Sequence, residues 1–250
     1  MSLTGKVAIV TGGGRDIGRA VSLKLASEGA KVVVNYHSSE EAAASTLEDI
    51  RALGGEAITV QGDMARGADV QALVARTVET FGERIDILVN VAGGMVARKP
   101  LAEMDEAFFD TVMNLNLKSA FLATQAVAPR MGEGGSIINF SSVAGRDGGG
   151  PGASAYATSK GALMTFTRSR AKELGPRGIR VNAVCPGMIG TSFHDTFSKD
   201  EVRKAVANAT PLKREGRADE VADAVAFLAS DAASFLNGVN LDINGGLVFS

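Results

Sequence analysis

Short apolar runs alternate with longer segments of helical periodicity along this chain. The short runs predict buried strands at Lys6–Thr11, Lys31–Tyr36, Ala57–Gln61, Ile85–Asn90, Ser136–Ser141, Ile179–Val184 and Val239–Asp242. Apolar residues at three- and four-residue spacing predict helices at Gly18–Gly29, Glu40–Leu53, Asp69–Phe81, Thr111–Met131, Ala155–Leu174 and Ala218–Ala229. Near-continuous apolar strands separated by helices are typical of a parallel sheet that is covered on both faces. The pattern therefore predicts the α/β class, with a Rossmann-type, doubly wound parallel β-sheet flanked by helices on both faces.

Nothing in the sequence divides the chain into domains. The 250 residues contain no internal repeat and no long linker rich in Pro, Gly or Ser, and 45% of them are hydrophobic. That content is enough for one substantial core, so we predict a single domain over residues 1–250. The segment 190–211 is longer than a typical connection and carries polar and aromatic residues. It is either a mobile substrate loop or an ordinary surface connection.

The charges of the chain nearly cancel. There are 26 basic and 28 acidic residues, for a formal net charge of −2. No block of like charge indicates a nucleic-acid partner, and no apolar run approaches the roughly 18 residues that span a bilayer. The first residues lack the apolar stretch of a signal peptide. With a single cysteine, Cys185, an internal disulfide framework is excluded. We therefore expect a cytoplasmic protein without nucleic-acid or membrane partners.

A glycine-rich turn, Thr11–Gly18 (TGGGRDIG), joins the first strand to the first helix. Glycines let the backbone approach a pyrophosphate, and the unpaired N–H groups at a helix N-terminus attract anions. Junctions between strands and helices favour glycine in any case, so the turn alone is weak evidence. Its position after the first strand of an alternating pattern favours a dinucleotide-binding Rossmann domain.

Tyr156 and Lys160 lie four residues apart in a predicted helix, so their side chains stand about one turn apart on one face. A free tyrosine has a pKa near ~10, and a nearby cation lowers that pKa by favouring the phenolate. Such a tyrosine can exchange a proton with a substrate oxygen. The same spacing also occurs on ordinary exposed helix faces, so the pair needs support from the rest of the chain.

Five motifs in order give the chain its resemblance to the short-chain dehydrogenase/reductase family. They are the glycine turn, NVAG at 90–93, Ser142 after a strand, YATSK at 156–160 and PGMIGT at 186–191. The resemblance covers essentially the whole chain, including a terminal DINGG that is similar to the family's DGG. Within the family, the chain most resembles the 3-oxoacyl-carrier-protein reductase group in its length and its PLKREGRADEVADAVAFLASD segment. Sugar, polyol, steroid and xenobiotic ketone reductases share that pattern.

The resemblance implies hydride transfer between a nicotinamide nucleotide and a carbonyl/secondary alcohol pair. It implies that Tyr156 is the general acid in reduction, and that Lys160 lowers the pKa of Tyr156 and binds the nicotinamide ribose. It also implies that Ser142 reaches the substrate oxygen and that Asn116 supports a water-mediated proton relay. Ser141 and Asn114 are the rival candidates. The family pattern favours Ser142, which precedes Val-Ala-Gly, and Asn116, which precedes Leu-x-x-x-Phe. No metal is expected, since the two histidines lack metal-ligand spacing.

Cofactor contacts are implied along the whole motif set. The residues concerned are Gly12, Gly14, Arg15, Ile17, Gly18, Asn35, Tyr36, His37, Ser38, Asp63, Met64, Asn90, Ala92, Gly93, Tyr156, Lys160, Pro186, Gly187, Ile189 and Thr191. Two positions depart from the family pattern. Asp16 replaces a glycine, and its carboxylate would repel a pyrophosphate unless it turns away to cap the helix or pairs with Arg15 or Arg19. Val91 replaces an asparagine.

The end of the second strand favours NADP(H) over NAD(H). NAD enzymes of this architecture place an acidic residue there for the ribose hydroxyls, whereas this chain has no carboxylate before Glu40. Arg15 would pair with a 2′-phosphate, or else it is a surface arginine paired with Asp16.

Partners and competing functions follow from the resemblance. It implies a homotetramer built through the helices Thr111–Met131 and Ala155–Leu174 and the C-terminal strand. The substrate would be a small carbonyl or alcohol, or an acyl-carrier thioester, for whose acidic carrier Arg98 and Lys99 are candidate contacts. A nucleotide-binding regulator without turnover is the alternative from another class, and the Ser142, Tyr156 and Lys160 set argues against it.

Overall fold

The seven strands of the computed structural model, which describes residues 2–249, lie in one parallel sheet in the order β3-β2-β1-β4-β5-β6-β7. Their bounds are β1 Val7–Thr11, β2 Lys31–Tyr36, β3 Ala57–Gln61, β4 Ile87–Asn90, β5 Ser136–Phe140, β6 Arg180–Pro186 and β7 Asn240–Ile243. The strand order reverses between β1 and β4, and in open α/β sheets ligands bind at the carboxyl ends of strands at such a switch point. The predicted fold class is confirmed.

Helices connect the strands on both faces. They are α1 Asp16–Ser27, α2 Glu40–Ala52, α3 Gly67–Phe81, α4 Glu106–Met113, α5 Ser119–Val127, α6 Ala144–Asp147, α7 Ser154–Leu174, α8 Ser192–Phe197, α9 Asp200–Ala209 and α10 Ala218–Ala229. Most predicted helices agree within about two residues, the usual uncertainty of a helix end. Within residues 2–249, no helix is both long and apolar enough to cross a membrane.

The prediction of one helix over Thr111–Met131 is wrong in its start and its continuity. The helical region begins earlier, at Glu106, because the carboxylate of Asp105 accepts a hydrogen bond of 2.7 Å from the Phe108 amide and caps α4. A π-helical turn, Asn114–Lys118, then separates α4 from α5. Single π-helical turns of this kind occur within α-helices. They change the spacing of apolar residues too little for hydrophobic periodicity to reveal them.

Both faces of the sheet are buried beneath helices. Along β1, Ala8 and Val10 pack with α1 and α10 on one face, whereas Ile9 packs with α3 and α5 on the other. This alternation follows from the two-residue period of a strand. The carboxyl ends of the strands therefore form a rigid edge, and the loops and helix ends that follow them meet there.

The segment 190–211 contains α8, α9 and short connections. Arg203 of α9 donates to both oxygens of Glu215 at 2.7 Å and ties the segment to the chain that follows it. The structure thus gives this segment regular elements of its own; its function as a substrate loop stays a prediction.

Candidate active site

The glycine turn between β1 and α1 is packed too closely for larger residues. Gly12 has a φ of +63°, and a Cβ there would lie 3.2 Å from the backbone of Ala92. A Cβ on Gly18 would lie 2.0 Å from the carbonyl oxygen of Gly12. These glycines let the turn bend tightly against α1 and leave its backbone at the surface of the cleft. A pyrophosphate needs a cradle of this kind.

The N-terminus of α1 points into the same place. Arg15 occupies its N-cap position without a side-chain hydrogen bond to the first turn. The first N–H groups of a helix have no partner within the helix, so they are available to an anion. The residues present therefore fit the phosphates of a dinucleotide.

The side chain of Asn35 stabilises the glycine turn through hydrogen bonds. Its Oδ1 accepts from the Gly12 amide at 3.2 Å, and its Nδ2 donates to the Gly62 carbonyl at 3.1 Å. The side chain is buried, with 2% of its surface exposed. Its side-chain amide joins β1 to the loop after β3, and the predicted contact of Asn35 with the cofactor stays a prediction.

A cleft of about 620 Å³ runs along the carboxyl edge of the sheet. The predicted cofactor residues that line it are Gly12, Gly14, Arg15, Ile17, Gly18, Tyr36, His37, Ser38, Ala92, Gly93, Tyr156, Lys160, Pro186, Gly187, Ile189 and Thr191. Val91 also lines it, and so does Ser142. The volume is that of a typical ligand site.

Three further predicted cofactor residues lie off the cleft wall. Met64 is buried in the core behind α3. The amide of Asn90 is buried and donates to Oδ1 of Asn139 at 2.9 Å. The carboxylate of Asp63 accepts from the Ala65 amide at 2.9 Å. Their side chains support the loops around the site in this structure, and their predicted contacts with the cofactor stay predictions.

Ser142 and Tyr156 meet at the middle of the cleft. The Ser142 hydroxyl is the side-chain group that acts on the Tyr156 phenol, and its influence lowers the pKa of that phenol. Ser141, the rival serine, faces elsewhere: its hydroxyl is buried and donates to the carbonyl oxygen of Lys160 at 2.8 Å, which fastens α7 to the end of β5. The Ser141 hydroxyl is thus engaged with α7, whereas the Ser142 hydroxyl acts on Tyr156.

Lys160 lies beneath Tyr156 on α7. Its Nζ donates to the Phe140 carbonyl at 2.7 Å and stands 5.6 Å from the centroid of the Tyr156 ring. Only 4% of the residue is exposed, and this burial lowers the pKa of the lysine to about 8. The amine therefore titrates close to neutral pH.

The predicted effect of Lys160 on the pKa of Tyr156 stays a prediction, because burial and the Ser142 hydroxyl are the influences that act on the phenol in this structure. Burial of the tyrosine disfavours the phenolate and raises its pKa, and the opposing influence is the hydrogen bond with Ser142. Tyr156 is therefore a neutral phenol at physiological pH, which is the form that can donate a proton.

Asn116 is placed by the π-helical turn. Its Nδ2 donates to the Gly94 carbonyl at 2.8 Å and its Oδ1 accepts from the Gly94 amide at 3.0 Å. A Cβ on Gly93 would lie 2.7 Å from this Oδ1 and 3.0 Å from Nζ of Lys160, so both groups face Gly93. The rival, Asn114, opens the same turn, and neither asparagine is itself on the cleft wall.

The carboxylate of Asp16 turns away from the phosphate cradle. It accepts from the Ser192 amide at 3.0 Å and from the Ser192 hydroxyl at 2.6 Å. Arg15 lies 3.8 Å away, whereas Arg19 pairs with Asp49. The partner of Asp16 was therefore missed by sequence reasoning, because it is 176 residues away along the chain.

Aromatic residues of α8 cover the cleft, and they too were missed. The Phe193 ring lies 5.9 Å from the Tyr156 ring and 5.0 Å from the Phe197 ring. His194 of the same helix is half-buried, and its partial removal from water lowers its pKa. At the far end of α8, Nε of Arg98 donates to the Phe197 carbonyl at 3.0 Å. The SFHDTF run, with aromatic residues four apart, was the available signal.

A doubly wound sheet whose switch point carries such a cradle beside a serine and a tyrosine defines the class of dinucleotide-binding Rossmann-fold proteins. The family model described as enoyl-(acyl-carrier-protein) reductase matches residues 12–248. This chain belongs to the short-chain dehydrogenase/reductase family.

Relatives and solved structures cover nearly the full chain. The 3-oxoacyl-[acyl-carrier-protein] reductase FabG of Staphylococcus aureus is 41% identical over 244 residues, which are 97% of this chain and 98% of the relative. A short-chain dehydrogenase from Burkholderia cenocepacia, solved in complex with NADP, superposes with a TM-score of 0.92 at 37% identity, covering 99% of both chains. An NADH-dependent reductase, A1-R′, responsible for alginate metabolism, superposes with a TM-score of 0.90 at 36% identity, covering 99% of both chains.

Proposed function

We propose that the protein is an NADP(H)-dependent reductase that converts a carbonyl into a secondary alcohol. The observation that carries the proposal is that Ser142, Tyr156 and the buried Lys160 lie together on the wall of one cleft. A protein that only binds a nucleotide has no need of this group. The bound nicotinamide would supply the hydride.

The proton is handled by the chain itself. A carbonyl oxygen placed between Ser142 and Tyr156 would accept a hydrogen bond from the serine hydroxyl and a proton from the neutral phenol. The phenolate left behind would be stabilised by the Lys160 cation, and Asn116 would connect that cation to solvent. The lysine pKa of about 8 suits this role, since proton transfer is most efficient when the pKa lies near the working pH.

The adenosine end of the cleft supports NADP(H). Tyr36, His37 and Ser38 line it without a carboxylate, and the Arg15 side chain is 67% exposed beside them. A guanidinium in this position can bind a 2′-phosphate through two hydrogen bonds. The NADP complex of the Burkholderia relative agrees with this proposal. NAD(H) is the alternative cofactor, because the similar A1-R′ reductase is NADH-dependent.

The substrate we propose is a 3-oxoacyl thioester or a related ketone, because the FabG relatives are 3-oxoacyl reductases. Arg98 and Lys99 are the proposed contacts of an acidic carrier. The test is a panel of ketones and 3-oxoacyl thioesters, assayed with NADPH and with NADH. Turnover of a carbonyl with NADPH is expected. A large preference for NADH would contradict the proposal that the cofactor is NADP(H). Failure to reduce any carbonyl would favour the alternative of a nucleotide-binding regulator without turnover.

We further propose a homotetramer in the cytoplasm. Phe121 of α5 is 41% exposed and contacts Phe166 of α7 edge to face, with 6.5 Å between the ring centroids. A partly exposed aromatic pair on these two helices fits an interface between subunits. Sedimentation velocity tests this arrangement, and a monomer at micromolar concentration would contradict it.

The free, buried thiol of Cys185 suits a reducing compartment.

A further inference from the structure

The helix α8 spans the cleft and is fastened at both ends. Its first residue, Ser192, is bonded to Asp16 of the glycine turn, and its last residue, Phe197, is bonded to Arg98. Between these ends, Phe193 lies against Tyr156. The helix thus lies against the catalytic tyrosine and is bonded to two other segments of the cleft wall, at Asp16 and at Arg98.

Asp16 occupies a backbone conformation that disfavours its own side chain. Its φ is +50°, in the left-handed region where glycine is unstrained and other residues are not. The related family pattern has glycine there. A carboxylate at this position also stands beside the site of a pyrophosphate, whose charge it repels. Both effects oppose an aspartate, so its benefit must come from the contacts that the carboxylate makes.

Those contacts bridge the two halves of the proposed cofactor site. The glycine turn lies on the phosphate side, and Thr191 and Ser192 lie on the nicotinamide side. Both carboxylate oxygens are engaged, one by the Ser192 amide and one by its hydroxyl. Hydrogen bonds to a charged group are roughly twice as strong as neutral ones.

We propose that Asp16 and Ser192 form a clasp that holds α8 closed over the cleft and slows exchange of the cofactor. Asp16 is a positioning residue, since it acts through α8 and not on the reacting atoms. The effect on cofactor exchange rests on the proposed function, whereas the effect on α8 in the free protein does not. The clasp therefore has one readout that is independent of any activity.

The first test is millisecond hydrogen exchange of the amides of residues 193–197 in the free protein. Asp16→Gly removes both hydrogen bonds, and we expect exchange about tenfold faster, equivalent to about 1.4 kcal/mol. Ser192→Ala removes one bond, and alanine favours a helix more than serine does. Faster exchange in Ser192→Ala, by about threefold, would therefore reflect the lost clasp. Asp16→Asn retains an acceptor oxygen and is expected to lie between wild type and Asp16→Gly.

The second test is the dissociation rate of NADPH, measured by stopped-flow fluorescence. We expect Asp16→Gly to release NADPH about tenfold faster, and Asp16→Asn to release it at an intermediate rate. Ser27→Ala removes a hydroxyl from α1 outside the cleft and is the matched control, with both readouts unchanged. Glycine relieves the strain at position 16, so the variant is expected to fold.

Exchange within twofold of wild type in both Asp16→Gly and Ser192→Ala would overturn the clasp, whatever the activity. Faster exchange in a protein that binds neither NADPH nor NADH would support the clasp and contradict the proposed function. Faster exchange with an unchanged NADPH release rate would overturn the claim that the clasp controls cofactor exchange.

Discussion

At the scale of single residues, the site depends on burial more than on charge pairing. Burial raises the pKa of Tyr156 and lowers the pKa of Lys160, so it favours the neutral form of both side chains. The spacing of the pair was readable from the sequence; the environment that sets their pKa values was not. That environment is formed by β5 and α8, which are far away along the chain.

Lys160 gives the first prediction. In carbonyl reduction, kcat/KM for NADPH should fall as the pH rises through about 8, because the free enzyme's lysine loses its proton there and can no longer stabilise the phenolate. A pH profile from 6 to 10 measures this. A profile that is flat to pH 10 would show that the amine does not take part.

Arg15 gives a second prediction, on the cofactor. Arg15→Ala should raise the KM for NADPH about tenfold or more and leave the KM for NADH nearly unchanged, because a hydrogen-bonded charge pair contributes about 1.5–3 kcal/mol. Arg51→Ala, an exposed arginine of α2, is the matched control. Equal changes for the two nucleotides would refute a contact with the 2′-phosphate.

At the scale of elements, the sequence predicted the strands and most helices because each buries an apolar face with its own period. The π-helical turn at Asn114–Lys118 escaped prediction, although it places Asn116 toward Gly94. The amide of Asn35 bonds the turn and the loop after β3, which its position at a strand end did not reveal. Such long-range bonds leave no local pattern.

The junction of the glycine turn with α1 makes a prediction about stability. Gly18→Ala should lower the free energy of unfolding by about 1–3 kcal/mol, because overpacking forces the backbone to shift. Gly67→Ala, at the start of α3, has no atom within 4 Å of the new Cβ and should leave stability unchanged or raise it. Urea denaturation compares the two variants, and equal midpoints would refute the close contact with Gly12.

At the scale of the whole molecule, one rigid sheet edge assembles groups from almost the full length of the chain. The glycine turn near residue 12, Ser142, Tyr156 and the segment at 186–197 meet at one cleft because parallel strands present their carboxyl ends on the same side. The family motifs made this assembly predictable. The Asp16–Ser192 contact and the aromatic cover of α8 belong to this chain's own tertiary structure.

Replacing Tyr156 by phenylalanine tests the central claim most directly. The variant keeps the ring and its contact with Phe193 but cannot donate a proton. NADPH-dependent reduction of the best ketone or 3-oxoacyl thioester should fall at least about a hundredfold, within the range of general acid catalysis, while the Kd for NADPH stays within about twofold. Turnover close to that of the wild type would contradict the account.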